Sequence, residues 1–321
     1  MSAQIVPRIL LNSGQRMPVL GLGTYQSKSD NVKEAVSYAL DVGYRHIDTA
    51  YSYGNEQDIG EVVQEKIQKG LVKREDLFIV TKLWSTFHKP EHVIPSLKKS
   101  LANLQVDYVD LYLVHNPCGF KYTDESNLFP TDADNNVWYD QTDHMDTWKE
   151  LEKAVDQGLA KSIGLSNFNK RQIERIVQSA RIKPANLQVE CHAYFMQKPL
   201  FDFCKQHGIT LTAYGPLGAP TRLFSVNPND PVLLEDPVVV EIAKLCGKTP
   251  AQVLLRYLIQ MGRIVIPKSK TTNRIKANFE IFDFEISPEN VAKLGGLDRH
   301  LRYYPFDWCK DSVEFPFRDS Y

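Results

Sequence analysis

Short β-like runs recur along the chain and alternate with helix-like segments. Several of the runs are continuously apolar, as in Leu77-Phe78-Ile79-Val80 and Leu111-Tyr112-Leu113-Val114. Unbroken apolar runs suit the strands of a parallel sheet covered on both faces. Strands are expected near 44–48, 77–82, 109–115, 161–166, 186–190, 210–214 and 264–267, after a first strand that ends at Gly21-Leu22-Gly23-Thr24-Tyr25. Helical patterns fill 30–42, 56–68, 91–104, 146–158, 170–179, 198–207 and 250–260. Asp30 is the expected N-cap of the first helix, and Gly43 its C-terminal stop. Ahead of these, 7–19 reads as a hairpin around the turn signal Asn12-Ser13-Gly14. Eight strands with helices between them most simply close into a (β/α)8 TIM barrel with an N-terminal hairpin. A doubly wound sheet remains open on periodicity alone.

No low-complexity linker divides the chain, so 1–321 reads as a single domain. Two long polar insertions interrupt the repeat, at 116–145 and at 216–236, and the tail 300–321 is aromatic and irregular. Insertions of that length are uncommon unless they act as lids or binding loops. In a barrel they would be long substrate loops at the C-terminal rim.

Polar residues stand at or near the ends of the apolar runs. Asp48, Lys82 and His115 follow one another at steps of 34 and 33 residues, about one strand and one crossover helix each. Repeated βα units bring such strand ends to one rim. Tyr53 follows Asp48 in the adjoining loop. A tyrosine is a poor acid near neutral pH, with a reference pKa of about 10. A buried ammonium beside it is expected to favour the phenolate and lower that value. Asp48 would keep the Lys82 ammonium charged and in place, and His115 would orient a carbonyl oxygen. Taken singly, the four read as a buried salt bridge, a core tyrosine and a capping histidine. Their joint position at strand ends favours a catalytic set.

Composition narrows the field. The chain is 43% hydrophobic and 24% charged with a net charge of −1, so bulk electrostatics favour neither nucleic acid nor an anionic membrane as partner. The N-terminus lacks the apolar core of a signal peptide. No run approaches the roughly 18 apolar residues of a spanning helix. The five scattered cysteines form no CxxC pair and suggest reduced thiols in a cytoplasmic protein. No clustered ligand set supports a metal. Gly21-Leu22-Gly23 lacks the third glycine of a dinucleotide fingerprint and reads as a tight strand-end turn.

Four motifs in order then carry a resemblance over essentially the whole chain. They are Gly43-Tyr44-Arg45-His46-Ile47-Asp48-Thr49-Ala50-Tyr51-Ser52-Tyr53-Gly54-Asn55-Glu56, Leu111 to His115, Ile163-Gly164-Leu165-Ser166-Asn167-Phe168, and Ile266-Pro267-Lys268-Ser269-Lys270. The chain resembles the aldo-keto reductases. The resemblance implies a (β/α)8 barrel that binds NADPH without a Rossmann fold and, by the family default, a monomer. It implies Tyr53 as general acid, supported by Asp48, Lys82 and His115. It also implies Gly23 and Thr24 near the nicotinamide ribose, with Asp48 among the cofactor-binding residues. Ser166, Asn167 and Gln188 would hold the carboxamide, Tyr214 would stack on the ring, and Leu217 would lie along the cofactor. Lys268, Ser269, Thr271 and Arg274, at a helix start suited to anions, would grip the 2′-phosphate, with Asn278 near the adenine.

The chain departs from the family pattern in places. Thr221 replaces an aspartate that straps the pyrophosphate in many relatives, Gly215 a serine, and Ala277 a glutamate. These changes imply weaker closure and faster NADP+ release. On the substrate side Trp84 is kept, Tyr25 replaces a tryptophan, Asn116 follows His115, and Ser52 and Phe129 complete the mouth. Such a pocket is aromatic with one more polar wall. It is compatible with insect members that reduce dehydroecdysteroids, so a steroid ketone is one substrate class the resemblance allows. A non-catalytic NADPH-binding barrel, with a channel-associated or structural role, is the alternative. A Schiff-base aldolase using Lys82 is another.

Overall fold

The computed structural model describes residues 6–27, 29–220, 227 and 229–319. The chain opens with an antiparallel hairpin of β1 (Arg8–Leu10) and β2 (Arg16–Pro18). Its turn needs Gly14, which adopts a φ of +86°. Eight parallel strands then form one sheet: β3 (Leu22–Gly23), β4 (His46–Asp48), β5 (Phe78–Leu83), β6 (Leu111–Val114), β9 (Ile163–Ser166), β10 (Asn186–Glu190), β11 (Thr210–Tyr214) and β12 (Ile264–Val265). Between β6 and β9 lies a small antiparallel ribbon, β7 (Gly119–Phe120) with β8 (Tyr139–Asp140). Each barrel strand pairs with the next in the chain. The two ends also meet. Gly21 N donates to Val265 O at 2.9 Å, Val265 N to Val19 O at 2.9 Å and Gly23 N to Pro267 O at 3.2 Å. These bonds close the sheet into the expected (β/α)8 barrel.

The helices are α1 (Asp30–Val42), α2 (Glu56–Gln68), α3 (Pro90–Leu104), α4 (His144–Asp156), α5 (Lys170–Ser179), α6 (Lys198–Gln206), α7 (Pro237–Cys246), α8 (Pro250–Gln260), α9 (Thr272–Phe279) and α10 (Pro288–Gly295). Gly43 ends α1 with a φ of +123° and donates to Ala39 O at 3.1 Å. Asp30 is not the N-cap: it is the first helical residue, where its charge suits the helix dipole, and Ser29 holds the cap position. Two helices lie outside the patterns read from sequence. The run Val238-Val239-Val240 is β-branched and strand-like. It is helical because Asp236 accepts from Val238 N at 2.9 Å and Pro237 sits in the first turn. Ser287 and Pro288 start α10 in the same way. The short ribbon β7–β8 within the first insertion was likewise not foreseen.

Strand alternation sorts the core into two layers. Phe78, Val80, Leu111, Leu113 and Ile264 belong to a cluster inside the barrel. Their strand neighbours Ile79, Leu83, Tyr112, Val114 and Val265 pack outward into the larger cluster beneath the helices. Leu11 and Met17 of the hairpin join the inner cluster. Asn12 Nδ2 donates to Pro184 O at 2.8 Å, and Ser13 Oγ lies 2.7 Å from Ser162 Oγ. The hairpin therefore plugs the N-terminal mouth. Inside positions continue toward the other end as Asp48 after His46, Lys82 after Val80, His115 after Leu113 and Gln188 after Asn186. The same alternation that builds the apolar plug delivers polar groups to the opposite rim.

His46 lies in this interior, with Nδ1 3.1 Å from Pro18 O. Burial pushes its pKa down from 6.5 to about 4. The unfolded chain takes up a proton in that window and the folded chain does not. Its contribution to stability is thus present above pH 6.5 and is lost as pH falls toward 4. Denaturant unfolding from pH 7 to 4 should show a slope that flattens by about one proton in His46→Gln. An unchanged slope would mean that His46 does not carry this linkage.

Candidate active site

Lys82 ends the inward series of β5 and is fully buried. Its ammonium has three N–H donors, and each finds an acceptor. Nζ lies 2.6 Å from Asp48 Oδ1, 2.8 Å from Thr49 O and 3.4 Å from Tyr53 Oη. The second oxygen of Asp48 accepts from Gln188 Nε2 at 2.7 Å, across the barrel. Burial draws the Lys82 ammonium below its usual 10.5, against the opposing pull of Asp48.

Tyr53 comes from a short 3-10 turn, Tyr51–Tyr53, after β4. Its pKa does not fall as expected from the sequence. Burial and then the Asp48 carboxylate push it well above 10. The physical reason is that a phenolate in this dry position would lose its hydration and face the Asp48 carboxylate, and these effects outweigh the Lys82 ammonium 3.4 Å away. Tyr53 consequently keeps its proton through the physiological range. His115, at the end of β6, is held well below 6.5 by burial and by Lys82, so its imidazole is neutral at pH 7. Its Nδ1 lies 3.4 Å from Ser52 Oγ. Its ring packs edge-on to Tyr53 at 5.6 Å and to Trp84 at 5.2 Å.

A second polar group stands beside these. Asn167, with a φ of +66°, donates to His115 O at 2.9 Å and to Ser166 Oγ at 3.1 Å. Its Oδ1 accepts from Tyr214 Oη at 2.9 Å. Ser166, Asn167, Gln188 and Tyr214 therefore meet at one side of the Asp48, Tyr53, Lys82 and His115 set. Thr24 Oγ1 donates to Asp48 O at 2.9 Å. Gly23 pairs with Lys268 in a parallel bridge, which brings the last motif alongside the first strand. Ser269 and Asn278 are buried, Arg274 and Thr271 are exposed, and Leu217 is half-buried. Lys268 lies beside Lys270, and burial lowers its pKa. Thr221 lies outside the described residues.

The mouth is aromatic. Tyr25 packs on Tyr53 at 5.1 Å, and Trp84 on Phe129 at 5.2 Å. Trp84 Nε1 donates to Leu128 O at 2.7 Å, which fixes the first insertion over the strand end. Asn116 is buried, and its side-chain oxygen accepts from Cys118 N at 2.8 Å. Three aromatics unnamed by the sequence reading complete the wall. Trp308 of the tail lies 6.2 Å from Trp84 and 6.0 Å from Phe129, and Phe120 lies 5.6 Å from Trp308. Tyr304 meets Tyr214 edge-on at 5.5 Å. The aromatic content of the tail was the available signal; which rings face the site depends on its path.

The geometry accords with what known proteins show. A model of the family described as "Aldo/keto reductase family" matches residues 19–299. The chain is 47% identical to "Aldo-keto reductase family 1 member A1" of Gallus gallus, over 98% of each chain. It is 50% identical to the Homo sapiens protein of the same name, over 92% of this chain and 90% of that one. The solved aldose reductase from Schistosoma japonicum superposes with a TM-score of 0.91 at 46% identity, covering 98% of this chain and 99% of that one. The chain belongs to the aldo/keto reductase family. It is thus an oxidoreductase acting on carbonyl groups, and members of the family use nicotinamide cofactors. Among the described residues no group of His, Cys, Asp and Glu could hold a metal ion. Among them, too, no helix is long and apolar enough to cross a membrane.

Removing the Lys82 charge leaves the Asp48 carboxylate buried without a cation. Lys82→Met should cost about 3–5 kcal/mol of unfolding free energy, with much of it restored when Asp48→Asn is added. Chemical denaturation of both variants measures this. A single variant as stable as the double would show that the pair is not coupled.

Proposed function

We propose that this chain is an NADPH-dependent reductase of small aldehydes and ketones, a single barrel domain acting as a cytoplasmic monomer. The observation that carries the reading is the contact series Asp48–Lys82–Tyr53 beside a neutral His115. A protonated phenol and an uncharged imidazole converge on one side of the rim, where a carbonyl oxygen can accept from both. When bound, NADPH supplies the hydride.

The chain's own residues supply the rest. Tyr53 Oη donates its proton to the carbonyl oxygen as negative charge develops there. Lys82 remains cationic beside it and favours the phenolate that is left. Asp48, fixed from the far side by Gln188, holds the ammonium within 3.4 Å of Oη. His115 donates a hydrogen bond that sets the direction of the carbonyl. Trp84, Tyr25 and the insertion aromatics exclude water and set the shape of the mouth, while Ser52 and Asn116 add polarity. A ketosteroid is within the class of substrates such a wall admits.

The residues fit a dinucleotide phosphate. Ser166, Asn167 and Gln188 offer amide and hydroxyl groups beside Tyr214, whose hydroxyl donates to Asn167 Oδ1, and this set suits a carboxamide-bearing ring. Helix α9 opens with the N-cap Thr271 making no side-chain cap bond, next to Lys268, Lys270 and Arg274. Unsatisfied N–H groups with surrounding cations favour a phosphate there. Lys268, Ser269, Thr271 and Arg274 would hold the 2′-phosphate, Asn278 the adenine end, and Gly23, Thr24 and Leu217 the ribose side.

Tyr53→Phe should lower turnover of 4-nitrobenzaldehyde by about 100-fold or more while NADPH affinity, read by fluorescence titration, stays near the parent's. Turnover close to the parent's would remove Tyr53 from the role. Replacing Lys268 and Arg274 by Met should weaken NADPH about tenfold or more and leave NADH nearly unaffected. Equal weakening of both cofactors would argue against a 2′-phosphate clamp.

A further inference from the structure

Glu190 is the last residue of β10, two positions beyond Gln188 and on the same inner face. It is fully buried. A carboxylate at that rim invites a catalytic assignment, yet its lone pairs are occupied by the C-terminal tail. Tyr303 N donates to Oε1 at 2.6 Å and Tyr304 N to Oε2 at 3.0 Å. His192 Nε2 lies 3.0 Å from Oε1, and Arg302 Nη1 lies 4.0 Å from Oε2. Two consecutive backbone N–H groups thus point at the two oxygens of one side chain. Only a carboxylate suits that arrangement, because an amide would turn an N–H donor toward one of them.

The segment held in this way leads into the site. Tyr304 places its ring edge against Tyr214 at 5.5 Å. Four residues later Trp308 closes the wall with Trp84 and Phe129. The anchor is reinforced around the same point. Arg302 lies between the rings of Phe195 and Phe317, at 4.5 and 3.4 Å, and Tyr194 O accepts from Arg299 N and Leu301 N at 3.1 Å each. Between the anchored residues and Trp308 the tail has little regular structure, one short 3-10 turn at Asp307–Cys309. The position of Trp308 therefore depends on where 303 and 304 are held.

We propose that Glu190 is a positioning residue for substrate selection. By binding the tail backbone it sets the aromatic wall against which a large carbonyl compound packs. Small carbonyl compounds do not need that wall. The proposal rests on the reductase reading given above.

Amide hydrogen exchange over 299–309 and steady-state kinetics of the full chain test it, with propanal as the small substrate and phenanthrenequinone as the large one. Glu190→Gln should speed exchange at 303–309 by about tenfold or more and raise KM for phenanthrenequinone by about tenfold, with kcat for propanal within about twofold. Glu190→Asp, which keeps both oxygens, should recover part of both effects. Arg302→Met should show the same pattern at smaller size and serves if Glu190→Gln does not fold. Unchanged exchange in these variants overturns the clamp. Equal kinetic loss for both substrates overturns the selective role. Absence of turnover by the parent fails the reductase reading and takes the selective role with it, whereas the exchange comparison still decides whether Glu190 holds the tail.

Discussion

A single ammonium group inside the barrel organises the candidate site. Lys82 is fully buried, and a charge so placed is tolerated only when it is paired and its donors are satisfied. Asp48, the Thr49 carbonyl and the Tyr53 hydroxyl do this. Asp48 in turn needs Gln188, so residues of β4, β5 and β10 are tied across the barrel lumen by one set of bonds. The placement of Tyr53 follows, because its hydroxyl is the third acceptor of the same ammonium. The geometry of the candidate site is in this sense a consequence of solving a solvation problem.

That solution is available because the lumen is graded. At the N-terminal end Phe78, Val80, Leu111 and Leu113 pack with the hairpin residues Leu11 and Met17. At the C-terminal end the inner positions become Asp48, Lys82, His115, Gln188 and Tyr214. The dry lower layers raise the energetic stake of every polar contact above them. They also explain why burial dominates the titration of this group, holding Tyr53 protonated and His115 neutral. Loss of the expected acidification of Tyr53 is therefore an outcome of the surroundings and not of a missing partner. In the proposed reaction this retained proton is the one Tyr53 would donate.

Above the polar layer the walls belong to irregular segments. Trp84 is a strand-end residue, but its indole N–H holds the first insertion through Leu128. The tail adds Tyr304 and Trp308. Gly215, where the resemblance implies a serine, fits this arrangement: its φ is +58°, and a Cβ there would lie 3.3 Å from the Tyr304 ring. A side chain at that position would be strained in its backbone and would crowd the tail. Ala277 sits half-buried in α9, and nothing in the structure explains its replacement of glutamate.

The sequence by itself determined the order of strands and helices and the polar set Asp48, Tyr53, Lys82 and His115 at the strand ends. Apolar strand runs, their regular spacing and the polar residue at each run's end are local properties, and parallel βα units convert them directly into a rim. The hairpin and the Gly43 stop were legible for the same reason, since turn and cap chemistry are set by neighbouring residues. Helix α7 was not read from the sequence, because Val238 to Val240 are β-branched and capping by Asp236 and Pro237 outweighs that propensity. Only the tertiary structure decided the titration of Tyr53, which follows first from its burial and then from the Asp48 carboxylate beside it. Only it brought Phe120, Tyr304 and Trp308 to the mouth and turned Glu190 toward the tail. These contacts join residues such as Glu190 and Tyr303, 113 positions apart. No periodicity encodes them, because an irregular segment takes its path from the side chains that happen to bind its backbone.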